Sequence, residues 1–188
     1  MYSLLFYKYG DWSSEKILAE YNALPSSRKI RVDSVANNPI YKEFLIVEYA
    51  MLKNILSLKL EQDFCYTPLG KPYIDGSKHF NISHCEDFLV IAVSNTEIGV
   101  DVEKVKEYNF KLANKVLNES ELEFVEKSKN KAYQFAKLWT QKEAKAKLLG
   151  RSVFDGTKNI LNDKQGYCFE TKRKDGFVIT VCQKNKST

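Results

Sequence analysis

The segment Gly70-Lys-Pro-Tyr-Ile-Asp-Gly-Ser-Lys78 aligns without a gap with Gly150-Arg-Ser-Val-Phe-Asp-Gly-Thr-Lys158. Each segment follows a long stretch in which apolar residues recur at helical spacing, and each precedes an apolar strand that begins at a phenylalanine. Nine matched positions can arise by chance, but the matching order of elements favours a duplication. We therefore predict an α+β fold of two similar halves, residues 1–97 and 98–188, related by a pseudo-two-fold axis, with a ligand cleft at their seam.

The composition is that of a globular protein, since 44% of the 188 residues are apolar and 28% are charged. No apolar run approaches the roughly 18 residues that span a bilayer, and the start, MYSLLFYKYG, lacks the features of a signal peptide. We therefore expect a cytoplasmic protein that does not bind membranes. The sequence contains neither a G-x-G-x-x-G nor a G-x-x-x-x-G-K-[ST] run, which argues against a Rossmann dinucleotide site and a Walker P-loop.

The cysteines and the charges further limit the kinds of site and partner that the sequence allows. Four scattered cysteines, with no C-x-x-C pair and no histidine at zinc spacing, predict reduced thiols rather than disulfides or structural zinc. Residues 1–97 carry 10 basic and 12 acidic groups, whereas residues 98–188 carry 19 and 12, a net charge of +7. This basic half indicates either an anionic partner or simply a lysine-rich solvated surface. Only four of the 29 basic residues are arginine, which argues against readout of nucleic-acid bases.

The residue pattern also predicts individual elements. Helices are expected after Ser13 or Ser14, over residues 40–60, after Asn118 or Ser120 (the latter with Glu123 as a capping box), and over residues 130–149. Gly150 would end the last of these helices. Residues 25–39 lack a clear pattern and are expected to be irregular. Strands are expected at residues 80–83, 88–95 and 98–105, and in a hairpin of residues 167–171 and 177–183.

Two acidic residues lie two apart in Ile98-Gly-Val-Asp-Val-Glu103. Asp101 and Glu103 would project from one face of a strand, with Cα atoms roughly 6.5–7 Å apart. Carboxylates held this close repel each other unless a cation or water separates them, and such oxygen ligands suit Mg²⁺. The alternative is a half-exposed strand whose acidic residues face water.

The predicted second long helix contains Trp139-Thr-Gln-Lys-Glu-Ala-Lys-Ala-Lys147. Trp139, Glu143 and Lys147 would share one stripe, which could be the wall of a ligand site or a solvent-facing ion pair. His84, one of two histidines in the chain, could donate to a phosphate or be structural. Cys85 would point to the opposite face of the strand, which argues against a Cys–His nucleophilic pair.

Taken in order, these motifs resemble a known family. The succession of Gly70-Lys-Pro, Phe80-Asn-Ile-Ser-His84, Ile98-Gly-Val-Asp-Val-Glu103 and Trp139-Thr-Gln-Lys-Glu-Ala-x-x-Lys147 is similar to that of the 4′-phosphopantetheinyl transferases. The resemblance is greatest to the larger, surfactin-synthetase type, whose single chain contains two pseudo-symmetric α+β halves. It extends from about residue 25 to residue 150.

The resemblance implies a reaction and its partners. The phosphopantetheine arm of coenzyme A would be transferred to a serine hydroxyl of an acyl- or peptidyl-carrier protein, with Mg²⁺ as cofactor and 3′,5′-ADP as the other product. The expected partners are coenzyme A and an acidic carrier protein, not nucleic acid or membrane. A duplicated chain can supply both sides of a cleft, so we expect a monomer.

The resemblance also implies site residues. Asp101, Glu103 and Glu143 would ligate Mg²⁺, with Glu143 as the base, and His84 and Lys147 would hold the pyrophosphate. The other implied coenzyme A contacts are Lys71 and Ser83 at the nucleotide end, and Arg28, Lys29, Arg31 and Lys42 at the 3′-phosphate. The sequence departs from the family pattern at Lys42, where arginine is common, and at Cys85, where serine is frequent.

Two other functions fit parts of the sequence. A metal-dependent nuclease would use Asp101 with Glu143 and Lys145, but such a site needs the glutamate and the lysine on one side of a strand, whereas here a helix would separate them. A non-catalytic binding module would keep the fold without turnover, which the intact set of three carboxylates argues against.

The segment from residue 110 to residue 124 lies between the two acidic motifs, so we expect it to border the cleft. Leu112, Val116 and Leu117, edged by Lys111 and Lys115, would suit docking of an acidic carrier helix. The alternative is that these apolar residues pack into the core.

Overall fold

The computed structural model describes residues 1–35, 37–59, 62–151, 157–163 and 165–185. Up to residue 97 the elements are β1 (Tyr2–Lys8), α1 (Ser14–Asn22), α2 (Ser26–Ser34), α3 (Pro39–Leu56), β2 (Cys65–Tyr66), β3 (Pro72–Tyr73), β4 (His79–Cys85) and β5 (Phe88–Ser94). From residue 98 they are β6 (Ile98–Lys104), α4 (Phe110–Val116), α5 (Glu119–Glu126), α6 (Lys131–Leu149), β7 (Tyr167–Lys174) and β8 (Phe177–Lys184). The fold is therefore α+β, as predicted.

The strands form two antiparallel three-stranded sheets, in the orders β1-β5-β4 and β6-β8-β7, and the short β2-β3 ladder. The long helix α3 packs on the first sheet through a core that includes Phe44, Val47, Leu89 and Ile91. The opposite face of that sheet packs on the second sheet, and α6 covers the far side of the second sheet. The sheets lie side by side at β4 and β6, where the Asn81 side chain accepts a hydrogen bond from the backbone N–H of Val100 at 2.8 Å.

Gly99 sets the distance between α6 and β6. A Cβ atom at this position would lie 2.0 Å from the carbonyl oxygen of Ala144 and 2.6 Å from the amide nitrogen of Leu148. Only glycine permits this approach, because both neighbours are backbone atoms of α6. The alternate residues after Gly99 on the same strand face, Asp101 and Glu103, are therefore held against α6.

Capping and turn residues in the sequence predicted several boundaries of helices and strands correctly. Ser13 caps α1 by accepting a hydrogen bond from the Lys16 amide, and Gly150 ends α6 with a left-handed φ of 62°. Asp175 and Gly176, with φ values of 50° and 83°, form the two-residue turn between β7 and β8.

Three boundary predictions were wrong. Residues 25–39 are not irregular, because α2 forms there with Arg28 and Val32, one turn apart, buried against the rest of the fold. Helix α3 ends at Leu56 rather than at residue 60, with Ser57 in a left-handed conformation. The capping box of α5 uses Asn118 and Glu121 instead of Ser120 and Glu123.

The two aligned glycine segments occupy different local settings at their first residues. Gly150 directly follows α6, whereas Gly70 lies in the turn between β2 and β3, well past the end of α3. Residues 152–156 of the second segment lie outside the described residues. In the part of the chain that the structure describes, no helix is long and apolar enough to cross a membrane.

Candidate active site at the junction of β4, β6 and α6

Asp101 and Lys147 form the centre of the site. The ammonium of Lys147 lies 2.6 Å from Asp101 Oδ1 and 2.8 Å from Ser83 Oγ, and Ser83 donates a hydrogen bond of 2.9 Å to the same carboxylate oxygen. Asp101 is only 3% exposed, and its Oδ2 atom has no hydrogen-bond partner among the described residues. Burial raises the pKa of Asp101, while Lys147 opposes the rise.

Both carboxylate oxygens of Glu103 accept hydrogen bonds. The indole N–H of Trp139 on α6 donates to Oε1 at 3.1 Å, and the thiol of Cys85 at the end of β4 donates to Oε2 at 3.4 Å. Burial and the neighbouring Asp101 raise the pKa of Glu103, whereas these two hydrogen bonds oppose the rise. The sequence predicted Glu103 as a site residue, but it did not predict Cys85 as the donor to it.

Glu143 is half-buried on α6, one helical turn before Lys147. Burial and the carboxylates of Asp101 and Glu103 raise its pKa to about 7, against the opposing effect of Lys147. The three carboxylates therefore share one electrostatic environment. Within the described residues, however, no group of three or more His, Cys, Asp or Glu side chains is already arranged as a metal site.

His84 faces the other side of β4 from Cys85, as strand alternation predicted. Its ring lies 5.3 Å from that of Tyr41 and 5.7 Å from that of Phe44, between ring centroids. It lines a cavity of about 460 Å³ that also contacts Asn38, at the start of α3. Burial and the positive charge of Lys147 lower the pKa of His84, and the negative charge of Asp101 opposes this effect.

Lys71 lies at the C-terminal end of α6. Its ammonium donates to Glu97 at 2.7 Å and to the carbonyl oxygen of Leu148 at 3.1 Å. It thus satisfies a terminal carbonyl of the helix that carries Glu143 and Lys147.

Arg28, which was expected at the 3′-phosphate, is buried in the fold and paired with Glu48. Its guanidinium is 1% exposed, lies 2.7 Å from Glu48 and stacks 4.4 Å from the ring centroid of Phe64. The buried carboxylate of Glu48 holds this charge inside the fold, where it joins α2 to α3.

The other three basic residues of the expected 3′-phosphate cluster lie nearer the surface. Lys29 donates to the carbonyl oxygen of Asn22 at 2.7 Å, and the exposed Arg31 donates to the hydroxyl of Tyr66 at 2.7 Å. Lys42 is half-buried in the first turn of α3.

The apolar strip expected on residues 110–124 is only partly at the surface. Val116 and Leu117 are 3% and 1% exposed and belong to the core under α6, so their expected docking role was wrong. Leu112 is 47% exposed and lines, with Phe135 and Trp139, a second cavity of about 460 Å³ that reaches Glu103.

The lysine required by the nuclease alternative is directed away from the carboxylates. Lys145 is 3% exposed, donates to the carbonyl oxygen of Asp163 at 2.7 Å and stacks on Tyr167. It therefore stabilises the segment after α6, and the D…E-x-K arrangement does not form.

Comparison with known proteins agrees with this geometry. Residues 97–184, which contain both acidic motifs, match the model of the 4′-phosphopantetheinyl transferase superfamily. The chain is 34% identical over 143 residues to the 4′-phosphopantetheinyl transferase gsp of Aneurinibacillus migulanus, covering 73% of this chain and 60% of that protein. The second half of the chain is thus similar to this superfamily, and most of the chain is similar to one of its members.

Two further 4′-phosphopantetheinyl transferases are similar to this chain over shorter or more divergent alignments. The 4′-phosphopantetheinyl transferase psf-1 of Bacillus pumilus is 32% identical over 91 residues, which are 46% of this chain and 39% of that protein. The 4′-phosphopantetheinyl transferase Sfp of Bacillus subtilis strain 168 is 28% identical over 156 residues, 70% of each chain. This chain therefore spans less than two thirds of the length of the first two relatives.

Proposed function

We propose that this protein transfers the 4′-phosphopantetheine group of coenzyme A to a serine of an acyl- or peptidyl-carrier protein. The reaction would require Mg²⁺, release 3′,5′-ADP and convert the apo-carrier to its holo form. The proposal rests on one observation: short hydrogen bonds join Ser83, Asp101 and Lys147, which lie on three different elements, beside Glu143. The chemistry below follows from these groups.

The donor set fits a hard divalent cation. Asp101 has a buried oxygen without a partner among the described residues, and the mutual repulsion of the carboxylates is the kind of instability that a cation relieves. Asp101, Glu103 and Glu143 are the residues that would hold Mg²⁺. The ion would supply neutralisation of charge on the coenzyme A pyrophosphate.

Glu143 is the proposed general base. Its carboxylate would accept the proton of the serine hydroxyl, directly or through one water. The serine oxygen would then bond to the phosphorus that carries pantetheine, while the bond from that phosphorus to the bridging oxygen breaks. The electron pair leaves with 3′,5′-ADP, so the protein mainly positions groups and stabilises charge.

Coenzyme A would be bound along the junction of the two sheets. Lys147 and His84 would donate to the pyrophosphate, while Ser83 and Lys71 would line the nucleotide end. Lys29, Arg31 and Lys42 are the proposed contacts of the 3′-phosphate, with lysine sufficient as a point charge. Arg28 is left out of this set because its guanidinium is buried against Glu48.

We also propose that residues 1–97 and 98–188 are pseudo-symmetric halves of one monomer. The two three-stranded sheets support this, because each has its last strand at the centre and its first strand at one edge. The backbone pairs of each sheet join strands from the same half. An acidic carrier, rather than nucleic acid or membrane, is the proposed partner of the basic second half, in the cytoplasm.

The proposal is tested by measuring the intact mass of purified apo-carriers after incubation with the protein, coenzyme A and Mg²⁺. One fatty-acid carrier and one peptidyl carrier should be used, each with a Ser→Ala control at the modified serine. A mass gain of one phosphopantetheine, absent in EDTA and in the controls, is expected. No gain in any carrier, or cleavage of plasmid DNA by the same preparation, would contradict the proposal.

A further inference from the structure

Alternate side chains of β4 hydrogen-bond to the facing carboxylates of β6. Ser83 donates to Asp101 at 2.9 Å, and two residues later Cys85 donates to Glu103 at 3.4 Å. Side chains two apart on a strand share a face, so both donors point toward β6. The Cys85 thiol therefore occupies the same relation to Glu103 as the Ser83 hydroxyl occupies to Asp101.

The Glu103 carboxylate has one donor on each oxygen, from two different elements. Trp139 on α6 fixes Oε1, and Cys85 on β4 fixes Oε2. Without such contacts a glutamate side chain samples several rotamers, and fixing it costs conformational entropy. Because Trp139 and Cys85 already fix the Glu103 side chain, a ligand that binds there does not have to order it.

We propose that Cys85 is a positioning residue, whose thiol orients the Glu103 carboxylate for the divalent cation. This inference rests on the proposed function. Groups that hydrogen-bond to metal ligands set ligand orientation, and their loss typically weakens metal binding by about 10- to 100-fold. Because a thiol is a weak donor, we expect an effect near the lower limit.

Cys85 also packs against the apolar cluster between the two sheets, at the end where it pairs with Phe88 of β5. A role in packing alone would make Cys85→Ser at least as harmful as Cys85→Ala, because serine adds a polar group to an apolar surface. A positioning role predicts the reverse order, since the serine hydroxyl keeps a donor and alanine has none. The two substitutions therefore separate the two roles.

Trp139 provides a local signal for the test. The chain has two tryptophans, Trp12 and Trp139. Trp12 packs on Tyr7, in the core between the first sheet and α3. In a Trp12→Phe background the fluorescence comes from the indole that contacts Glu103. Titration with Mg²⁺ at fixed coenzyme A then reports the apparent Mg²⁺ dissociation constant, independently of transfer.

Cys85→Ala should raise this dissociation constant by about tenfold, while Cys85→Ser should stay within about threefold of the parent. The rate of transfer at saturating Mg²⁺ should change much less than the Mg²⁺ requirement. Cys168→Ala, which removes an exposed thiol on β7, is the matched control and should behave like the parent.

A parent that responds to Mg²⁺ together with an unaffected Cys85→Ala variant would overturn this inference and leave the proposed function intact. Equal losses of Mg²⁺ affinity in Cys85→Ala and Cys85→Ser would also overturn it and would indicate a role in packing alone. A parent with neither Mg²⁺ response nor transfer would overturn the proposed function, and this inference with it.

Discussion

At the scale of single residues, Glu143 shows how the surroundings adapt an ordinary side chain. Its carboxyl lies among Asp101, Glu103 and Lys147, and burial with the two negative neighbours raises its pKa from 4.5 to about 7. No sequence pattern reports such a shift, because it arises from groups on β6 that lie some forty residues earlier in the chain. The spacing of Trp139, Glu143 and Lys147 did predict that these three share a helix face.

The raised pKa of Glu143 predicts how the stability of the metal-free protein depends on pH. Between about pH 4.5 and pH 7 the folded state binds the Glu143 proton more tightly than the unfolded chain does. The contribution of this proton to stability is therefore complete below about pH 4.5 and is lost as the pH rises through 7. Urea unfolding in EDTA should give a lower free energy of unfolding at about pH 8 than at about pH 6. Glu143→Gln should reduce this difference, and Mg²⁺ should stabilise the parent more at the higher pH. If the free energy of unfolding of Glu143→Gln had the same pH dependence as that of the parent, this would contradict the raised pKa of Glu143.

At the scale of elements, the contact between α6 and β6 aligns the site, and Gly99 permits it. We expect Gly99→Ala to lower the free energy of unfolding by about 3 kcal/mol, because its Cβ would meet two backbone atoms of α6. Transfer should fall as well, since Lys147 and Glu143 move away from Asp101. Urea unfolding and transfer rates measure the two effects.

Gly166→Ala is the matched control, because among the described residues its Cβ would meet Asp163 Oδ1 alone, at 3.9 Å, an ordinary contact. It should change the free energy of unfolding by less than about 0.5 kcal/mol. Equal effects of the two substitutions would show that the close approach at Gly99 does not control the position of α6.

Helix α2 depends on a buried ion pair. Arg28→Met should lower the free energy of unfolding by about 3–5 kcal/mol, because it removes the hydrogen-bonded countercharge of the buried Glu48. Adding Glu48→Met should recover most of that loss. Chemical denaturation of the single and double variants tests this. A large loss of coenzyme A affinity in a double variant of normal stability would instead restore Arg28 to the ligand site.

Elements with local signals were predictable from sequence, and those held by distant partners were not. Ser13, Gly150 and the Asp175-Gly176 turn act through their own backbone neighbours. Helix α2 escaped prediction because Arg28 is stabilised by Glu48 and Phe64, which lie on other parts of the chain. The motif residues Asp101, Glu103, Glu143 and Lys147 were recognised from their spacing, whereas the Cys85 contact depends on the packing of β4 against β6, which belong to different sheets.

At the scale of the whole molecule, charge is uneven, with the excess of basic groups in residues 98–188. Lys111 and Lys115 are exposed on α4, next to Leu112 and its cavity. Reversing both lysines to glutamate should raise the KM for an acidic carrier, with less than about a twofold change in the KM for coenzyme A. The carrier KM of the parent should also rise with salt, since exposed charges are screened beyond about 8–10 Å.

Lys8→Glu with Lys16→Glu makes the same change of net charge on the first half and is the matched control. It should leave the carrier KM near the parent value. Equal losses from both pairs of substitutions, or a carrier KM that does not depend on salt, would place the carrier surface elsewhere.

The central claim is that the Asp101 cluster supports transfer of phosphopantetheine from coenzyme A. The most direct measurement quantifies holo-carrier and 3′,5′-ADP in the same reaction, for the parent and for Asp101→Asn, which keeps the shape of the side chain but removes its charge. The account predicts equal amounts of the two products with Mg²⁺ for the parent, and loss of both products in a folded Asp101→Asn protein. Release of 3′,5′-ADP without holo-carrier, or an Asp101→Asn protein as active as the parent, would contradict it.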